Sequence, residues 1–546
     1  MNMQRVYSNP TEIERYAKKA FGIPDFLMME NAAFCMCDFI SSLWQRKATE
    51  SSQKPKVLIA CGKGNNGGDG YALARKLQGK ADVSLFCLEE PGTTPAGTAG
   101  TFGTAGTASE AAVQFEMCKK LGLPFIQIKE LHQNVDSFNF IIDCLYGTGF
   151  RGELKPQAAE LINLLNAQTD CIRIACDIPT GLDIHGKIAS ISTGEKLCFN
   201  ADYTISMGTQ KVAFYSDEAK QACGKIIVAD LGIAREKFES AGEQGITEKE
   251  ASCDSTKPGS VLLVEKDDVK LPVRKNKAAH KGTYGHTAVF AGNKSGAAII
   301  AATAAMNFGS GLTTLVKQSS SNLEQFKISP ELMISDTVPK KTTCVVLGPG
   351  TESLTKETAC AIEGWFDGEG RAAVFDAGMF GQEEFIPLLT KLCSYPNARI
   401  VLTPHLLELV RFCKLCGITA EKAQRDGTGA NVTVQVLSSS PETKIKLVEQ
   451  ICKRFPGIVL VIKSANTFIC NGEKTYIVSD GAQSLAKGGS GDVLSGMLGA
   501  LLAQDYSALD AAITACESHA LAASQYGQEA FDLTPEKLIA TLNKII

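Results

Sequence analysis

Several things are missing from this sequence, and each absence removes a class of function. There is no basic excess: 55 Lys and Arg stand against 59 Asp and Glu, for a net charge of -4. A nucleic-acid partner would need a positive footprint, so none is expected. No uninterrupted apolar run reaches the roughly 20 residues of a membrane span. The N-terminus, MNMQRVYSNPTEIERYAKK, has no apolar signal core. Cys413 and Cys416 are the only pair at CxxC spacing, and neither a second pair nor a neighbouring histidine completes a metal set. The 19 cysteines are therefore expected as reduced thiols, mostly small buried side chains, in a soluble cytoplasmic protein.

What is present is material for more than one core. A chain of 546 residues with 44% apolar content predicts two or three domains. Short apolar runs (KVLIAC, DVSLFCL, NFIIDC, IRIAC, DYTISM) alternate with amphipathic segments, the pattern of a parallel sheet covered by helices. Ahead of them, Thr11 and Glu14 form a capping-box pattern for one helix, and an apolar helix is expected from Pro24 to about Lys47. The polar stretch from Arg235 to Ser260 suits a connection, giving domains at 1–235 and 257–546 with a linker at 236–256. Beyond it the alternation resumes (HTAVFAG, TTCVVLGPG, RAAVFDAG, ARIVLTPH, GIVLVIKSANTFIC), so the fold class is α/β with two doubly wound domains. No motif repeat links them. The Gly/Thr/Ala-rich segment from Pro91 to Ser109 reads as a surface loop insertion.

The first chemical signal is CGKGNNGGDG. Gly62, Gly64 and Gly67 make the dinucleotide spacing after a strand and before a helix, and Glu89 stands near the distance expected for a ribose contact. Asn65, Asn66 and Asp69 disagree with an ordinary NAD site, because a carboxylate at the helix start would repel a pyrophosphate. Such a loop presents side chains as well as backbone amides. Two later loops leave strand ends in the same half: Asp143 precedes Gly147, Thr148, Gly149, Phe150, Arg151, Gly152 and Glu153, and Asp177 precedes Pro179 and Thr180. Ligands bind outside the carboxyl ends of such strands, so the three loops should converge. Asn66, Asp143 and Thr180 offer oxygen donors suited to a hard cation. Taken singly, each aspartate also reads as a turn or cap residue.

The second signal is KGGSGDVLSGMLGALLAQ. Glycines around Ser490 precede a helix whose free amides form an anion site, and Asp492 in the first turn is expected to stay ionised and act as a base during phosphoryl transfer. No Gly-Lys-Ser/Thr follows, so this is not a Walker A loop. His405, after VLTP, reads either as a ligand contact or as a helix cap.

These segments resemble known families. GKGNNGGDG, DCLYGTGFRG and DIPTGLD resemble the YjeF N-terminal domain, the NAD(P)HX epimerase, over roughly the first 235 residues. The glycine loop around Asp492 resembles the Gly-x-Gly-Asp of ribokinase-like phosphotransferases. Together with HKGTYGH, SGAAIIAATAAMNFGSG, LGPG and LTPH, it resembles the ADP- or ATP-dependent NAD(P)HX dehydratase.

The resemblance implies a Rossmann-like αβα domain and a ribokinase-like domain, acting on NADHX and NADPHX. It implies that Asn65, Asn66, Gly67, Gly68, Asp69, residues 147–153 and Asp177 contact the hydrated cofactor, with Asp177 near the reacting ring, and that Asn66, Asp143 and Thr180 hold potassium. In the second domain, Ala297, Gly350, His405 and Asp492 would contact the hydrate. Lys463, Ser464, Ala465, Asn466, Thr467 and Gly491 would contact ADP or ATP, accompanied by Mg2+. A homo-oligomer is expected. Tyr146, the lone acid of DAGMF at Asp376, TPHLLE in place of a Pro-Gly, and Ser464 in place of a glycine depart from the family pattern. Two other readings compete: a ribokinase-like vitamin or sugar kinase with a regulatory N-domain, and a dimerising scaffold.

Overall fold

The computed structural model describes residues 3–47, 53–92, 109–245, 260–367, 370–419 and 432–545. Most of the Gly/Thr/Ala insertion, 93–108, lies outside them. Two compact units emerge, one mainly Val6–Gly259 and the other mainly Ser260–Ile546.

The first unit is built on six parallel strands in the order Asp82–Cys87, Lys56–Cys61, Phe140–Cys144, Ile172–Cys176, Tyr203–Met207 and Lys225–Ala229. Their near-continuous apolar runs follow from burial on both faces: in Lys56–Cys61 every residue after the lysine is buried. The chain reverses its winding between Lys56–Cys61 and Phe140–Cys144, which opens a crevice at their carboxyl ends. Cys61 pairs in register with Cys87 on one side and Cys144 on the other, and all three belong to the core on one face. The 18 described cysteines are free, most of them buried.

Two sequence expectations change here. The first helix, Pro10–Phe21, is capped by Asn9, whose side chain accepts from the Glu12 amide, rather than by Thr11. Pro10 fills the first turn, where its missing N–H costs nothing. The connection read as a linker begins as a helix, Arg235–Gly245, with Phe238 buried and Gly242 and Gly245 against Ile13 and Tyr16. Helix Asp25–Lys47 is the one described helix long and apolar enough to cross a membrane, and Met29, Ala33, Met36, Cys37 and Ile40 on it pack into the core beside the sheet.

Among the described residues the second unit carries ten strands in the order Met333–Ser335, Leu312–Lys317, His286–Ala291, Cys344–Leu347, Ala372–Phe375, Arg399–Leu402, Ile458–Ile462, Thr467–Cys470, Thr475–Val478 and Val261–Leu263. All neighbours are parallel except around Thr467–Cys470, which runs antiparallel to both its partners. The winding reverses between His286–Ala291 and Cys344–Leu347. Helices Ser295–Asn307 and Ser490–Ala503 pack almost backbone to backbone: a Cβ at Gly496 would stand 2.0 Å from the Ala301 carbonyl oxygen. Small residues on both helices permit that approach.

Candidate active sites

In the first unit, a cavity of about 700 Å³ opens at the crevice. Asn65, Asn66, Asp69, Gly147, Thr148, Gly149, Phe150, Arg151, Glu153 and Asp177 line it. Gly67 and Gly68 are instead packed into the protein, against Gly62 and Met29, and Gly152 takes a left-handed turn. Asp143 and Thr180 are fully buried: Asp143 Oδ1 accepts from the Thr180 hydroxyl at 2.7 Å and Oδ2 from the Thr180 amide at 2.7 Å. Burial pushes the Asp143 carboxyl up to about 6, against hydrogen bonds from Thr180 and Leu145 that favour its charge.

The Asn66 side chain is buried, and neither of its amide atoms has a partner among the described residues. An orphaned amide oxygen in a buried polar site is the mark of a missing partner. Among the described residues no group of three or more His, Cys, Asp or Glu side chains could hold a metal ion.

Asp177 sits at the end of its strand with a left-handed backbone, φ 66°. Its Oδ1 lies 2.8 Å from Lys211 Nζ, and its Oδ2 is 3.4 Å from the Thr148 amide. Lys211 is almost fully buried and also bonds the Ser206 hydroxyl. The sequence reading missed this lysine, whose one signal is its place four residues beyond the strand Tyr203–Met207. Glu89 is committed to Lys63 at 2.8 Å and Lys155 at 2.7 Å. Tyr146 stacks on Phe150 with ring centroids 5.5 Å apart.

In the second unit, the site forms where loops leave the sheet beside helix Ser490–Ala503. Gly489 caps that helix in a left-handed conformation, φ 92°, and Asp492 lies in its first turn. Lys463 reaches over the loop: its Nζ would be 3.4 Å from a Cβ at Gly491. The same Nζ pairs with Asp376 Oδ1 at 2.5 Å, and Asp376 Oδ2 accepts from the Ser495 hydroxyl at 2.7 Å. Burial alone would raise the Asp376 carboxyl, but the Lys463 charge and hydrogen bonds from Lys463, Ser495 and Thr403 hold it below the usual range. In the sequence Asp376 stands out only as a departure from the family pattern, with no role attached to it. The lone acid of DAGMF ties strand, lysine and helix together.

Asp492 corrects an expectation. Burial first, and the neighbouring Asp376 charge second, push its carboxyl up to about 7 despite Lys463, so it titrates near neutrality instead of staying ionised. His519 Nε2 lies 3.0 Å from the Ser490 carbonyl oxygen, and burial lowers this imidazole to about 4, so it is neutral.

Gly350 and Ala297 come together: a Cβ at Gly350, φ 69°, would meet the Lys294 carbonyl oxygen at 2.1 Å and Ala297 Cβ at 3.3 Å. His405 behaves as a helix cap. Its Nδ1 accepts from the Glu408 amide while Glu408 accepts from the His405 amide, a reciprocal pair at the start of Leu406–Leu415. The Pro404 carbonyl also accepts from the Lys463 amide at 2.9 Å, which brings that cap beside the lysine. In the segment 463–467, the Ser464 hydroxyl donates to the Asn466 carbonyl at 2.7 Å, Ala465 follows it, and Thr467 opens the antiparallel strand.

Comparison with known proteins fits this geometry. Residues 26–213 match the family described as YjeF-related protein N-terminus, and residues 287–544 match NAD(P)H-hydrate dehydratase. The chain is 32% identical over 546 residues, covering 100% of both chains, to the bifunctional NAD(P)H-hydrate repair enzyme Nnr of Helicobacter pylori. It is 28% identical to the enzyme of that name from Coxiella burnetii, covering 95% of this chain and 93% of that one. The NAD(P)H-hydrate epimerase of Elusimicrobium minutum is 32% identical over 232 residues, covering 41% of this chain and 93% of that one. This chain belongs to the bifunctional NAD(P)H-hydrate repair enzymes.

Proposed function

We propose that the first unit interconverts the R and S hydrates of NADH and NADPH, and that the second converts the S hydrate back to the reduced cofactor using ADP or ATP. The observation that carries this reading is that one chain holds two unlike sites. One is a polar cavity with a salt-bridged carboxylate. The other is a helix start with a lysine and a carboxyl poised near neutrality.

In the second site Asp492 takes the proton of the C6 hydroxyl as that oxygen attacks the terminal phosphoryl group. Lys463, the Gly491 amide and its neighbours stabilise the charge on the transferring phosphate. Elimination of the phosphate with a proton from C5 then restores the ring double bond, leaving AMP or ADP and inorganic phosphate. Residues 463–467 and Gly491 contact the nucleotide, and Ala297, Gly350 and the His405 loop contact the hydrate. Mg2+ supplies charge neutralisation on the phosphates and travels with the nucleotide, whose own oxygens suit it. In the first site, potassium held by Asn66, Asp143 and Thr180 supplies the charge that the unpartnered Asn66 oxygen and the buried Asp143 carboxyl lack. Residues 65–69, 147–153 and Asp177 hold the hydrate.

Chiral separation of a hydrate mixture over time tests both halves at once. Wild-type protein with excess nucleotide should consume both epimers and release reduced cofactor and phosphate. Asp177→Ala should clear the S form and leave the R form to spontaneous epimerisation. Asp492→Asn should equilibrate the epimers and consume neither. If Asp177→Ala clears both at the wild-type rate, the first unit is not the epimerase, and if a phosphoester accumulates, the second unit is a kinase.

A further inference from the structure

Asp69 and Asp177 face one cavity from different elements, and their surroundings differ sharply. Asp177 is bonded to the buried ammonium of Lys211 at 2.8 Å and takes a further amide, Met207 N, at 3.3 Å. Asp69, on the inner face of helix Asn65–Leu77, is buried and has no cation beside it among the described residues. Its one side-chain hydrogen-bond contact among the described residues is the Cys176 thiol, 4.0 Å from Oδ2, and Cys176 directly precedes Asp177. The charges bearing on Asp69 are those of Asp177 and Glu14, both negative. Two carboxyls sharing a cavity cannot both ionise cheaply, and the one with the ammonium takes the charge.

We propose that Asp69 is the catalytic acid and the Asp177–Lys211 pair the catalytic base of ring opening and reclosure in the epimerase. This rests on the epimerase reading of the cavity. In opening, Asp177 takes the proton of the C6 hydroxyl and the freed electron pair forms the aldehyde C=O bond. The C6–N1 bond breaks with its pair on N1, which takes the proton of Asp69. Rotation about C5–C6 turns the other face of the aldehyde towards N1. In closing, N1 attacks C6 and returns its proton to Asp69, and the alkoxide recovers the proton held by Asp177. The two carboxyls end as they began, and only the configuration at C6 has changed. Burial and the Asp177 charge, which hold the Asp69 carboxyl well above the usual range, keep its proton available at neutral pH.

The test is the pH dependence of epimerisation by the full chain, followed by chiral separation without nucleotide. Wild type should lose activity as pH rises and Asp69 ionises. Asp69→Asn should lower kcat by about a hundredfold, the scale of a positioned acid, with KM nearly unchanged. Asp69→Glu, which keeps an acid, should recover part of kcat and the alkaline fall. A merely structural Asp69 would not show that recovery. Asp69→Asn retaining wild-type kcat, or a wild-type profile with no alkaline fall, overturns the proposal while leaving the epimerase reading standing. Wild type that does not accelerate epimerisation at all overturns both.

Discussion

Both glycine-rich loops lead into a helix, yet their glycines answer to different demands. In the first loop the protein itself fills the space. A Cβ at Gly62 would stand 2.0 Å from the Leu145 carbonyl oxygen, one at Gly67 1.9 Å from the Gly62 carbonyl oxygen, and one at Gly70 2.7 Å from Cys61 Sγ. In the second loop a Cβ at Gly488 meets nothing within 4 Å, and one at Gly491 meets only the tip of Lys463 at 3.4 Å. Internal packing therefore requires glycine at Gly62, Gly67 and Gly70 of the first loop, where only Gly64 is open, and leaves the space open at Gly488 and Gly491 of the second, where only Gly489, with φ 92° and Pro535 2.6 Å from its Cβ, is fixed by the protein itself. The first loop is a rigid mount for the side chains of Asn66 and Asp69. The second leaves the amides around Gly488 and Gly491 uncovered by side chains of their own, the condition for an anion site at a helix start.

Substitutions can break that contrast, and the expected effects run from gross to slight. Gly67→Ala should cost about 3 kcal/mol or more through backbone overlap, seen as a large fall in the melting temperature of the ligand-free protein. A melting curve unchanged by it would mean that the first loop is not packed as described. Asp492→Asn should lower nucleotide-dependent dehydration by about two decades and spare epimerisation. Near-normal dehydration would remove Asp492 from the chemistry. Gly491→Ala should leave the melt almost unmoved yet raise the nucleotide KM roughly tenfold, about 1.4 kcal/mol of binding. If it melts early instead, the two loops do not differ in kind.

The smallest effect concerns pH. With its carboxyl at about 7, Asp492 is increasingly protonated below neutrality, so wild-type dehydration should fall as pH drops through that value. Asp376→Asn removes a negative neighbour, which lowers the proton affinity of Asp492 and should move this fall to lower pH. A fall that stays in place would show that Asp376 does not act on Asp492.

The sequence discloses the frame of both sites because their loops leave strand ends, and strand ends are marked by short apolar runs stopping at Asp143, Asp177 and Asp376. It discloses the Asp492 loop because a run of glycines with an acid at the start of an apolar helix has few other uses. It hides what depends on neighbours far along the chain. Lys211 looks like any lysine until the fold buries it against Asp177, and Lys463, expected from the resemblance only as a nucleotide contact, gains its pairing with Asp376 from the fold. The titration of Asp492 also escapes local reading, because a helix start argues for charge while burial and Asp376 argue against it, and the latter prevail. Arg235–Gly245 reads as a linker because its one-sided packing needs only Phe238 and a few small residues.

The contact between Gly496 and the Ala301 carbonyl leaves no slack between helices Ser295–Asn307 and Ser490–Ala503. Ala297 and Asp492 are thus mounted on a single gauge, whose span is set before any substrate arrives. If Ala297 and Asp492 hold the hydrate as proposed, a fixed spacing between them would favour a hydroxyl on one face of the ring over its mirror placement. Under the proposed function such a mount would leave one hand of the hydrate unconsumed, and the exchange of hands proposed for the first unit would be its counterpart.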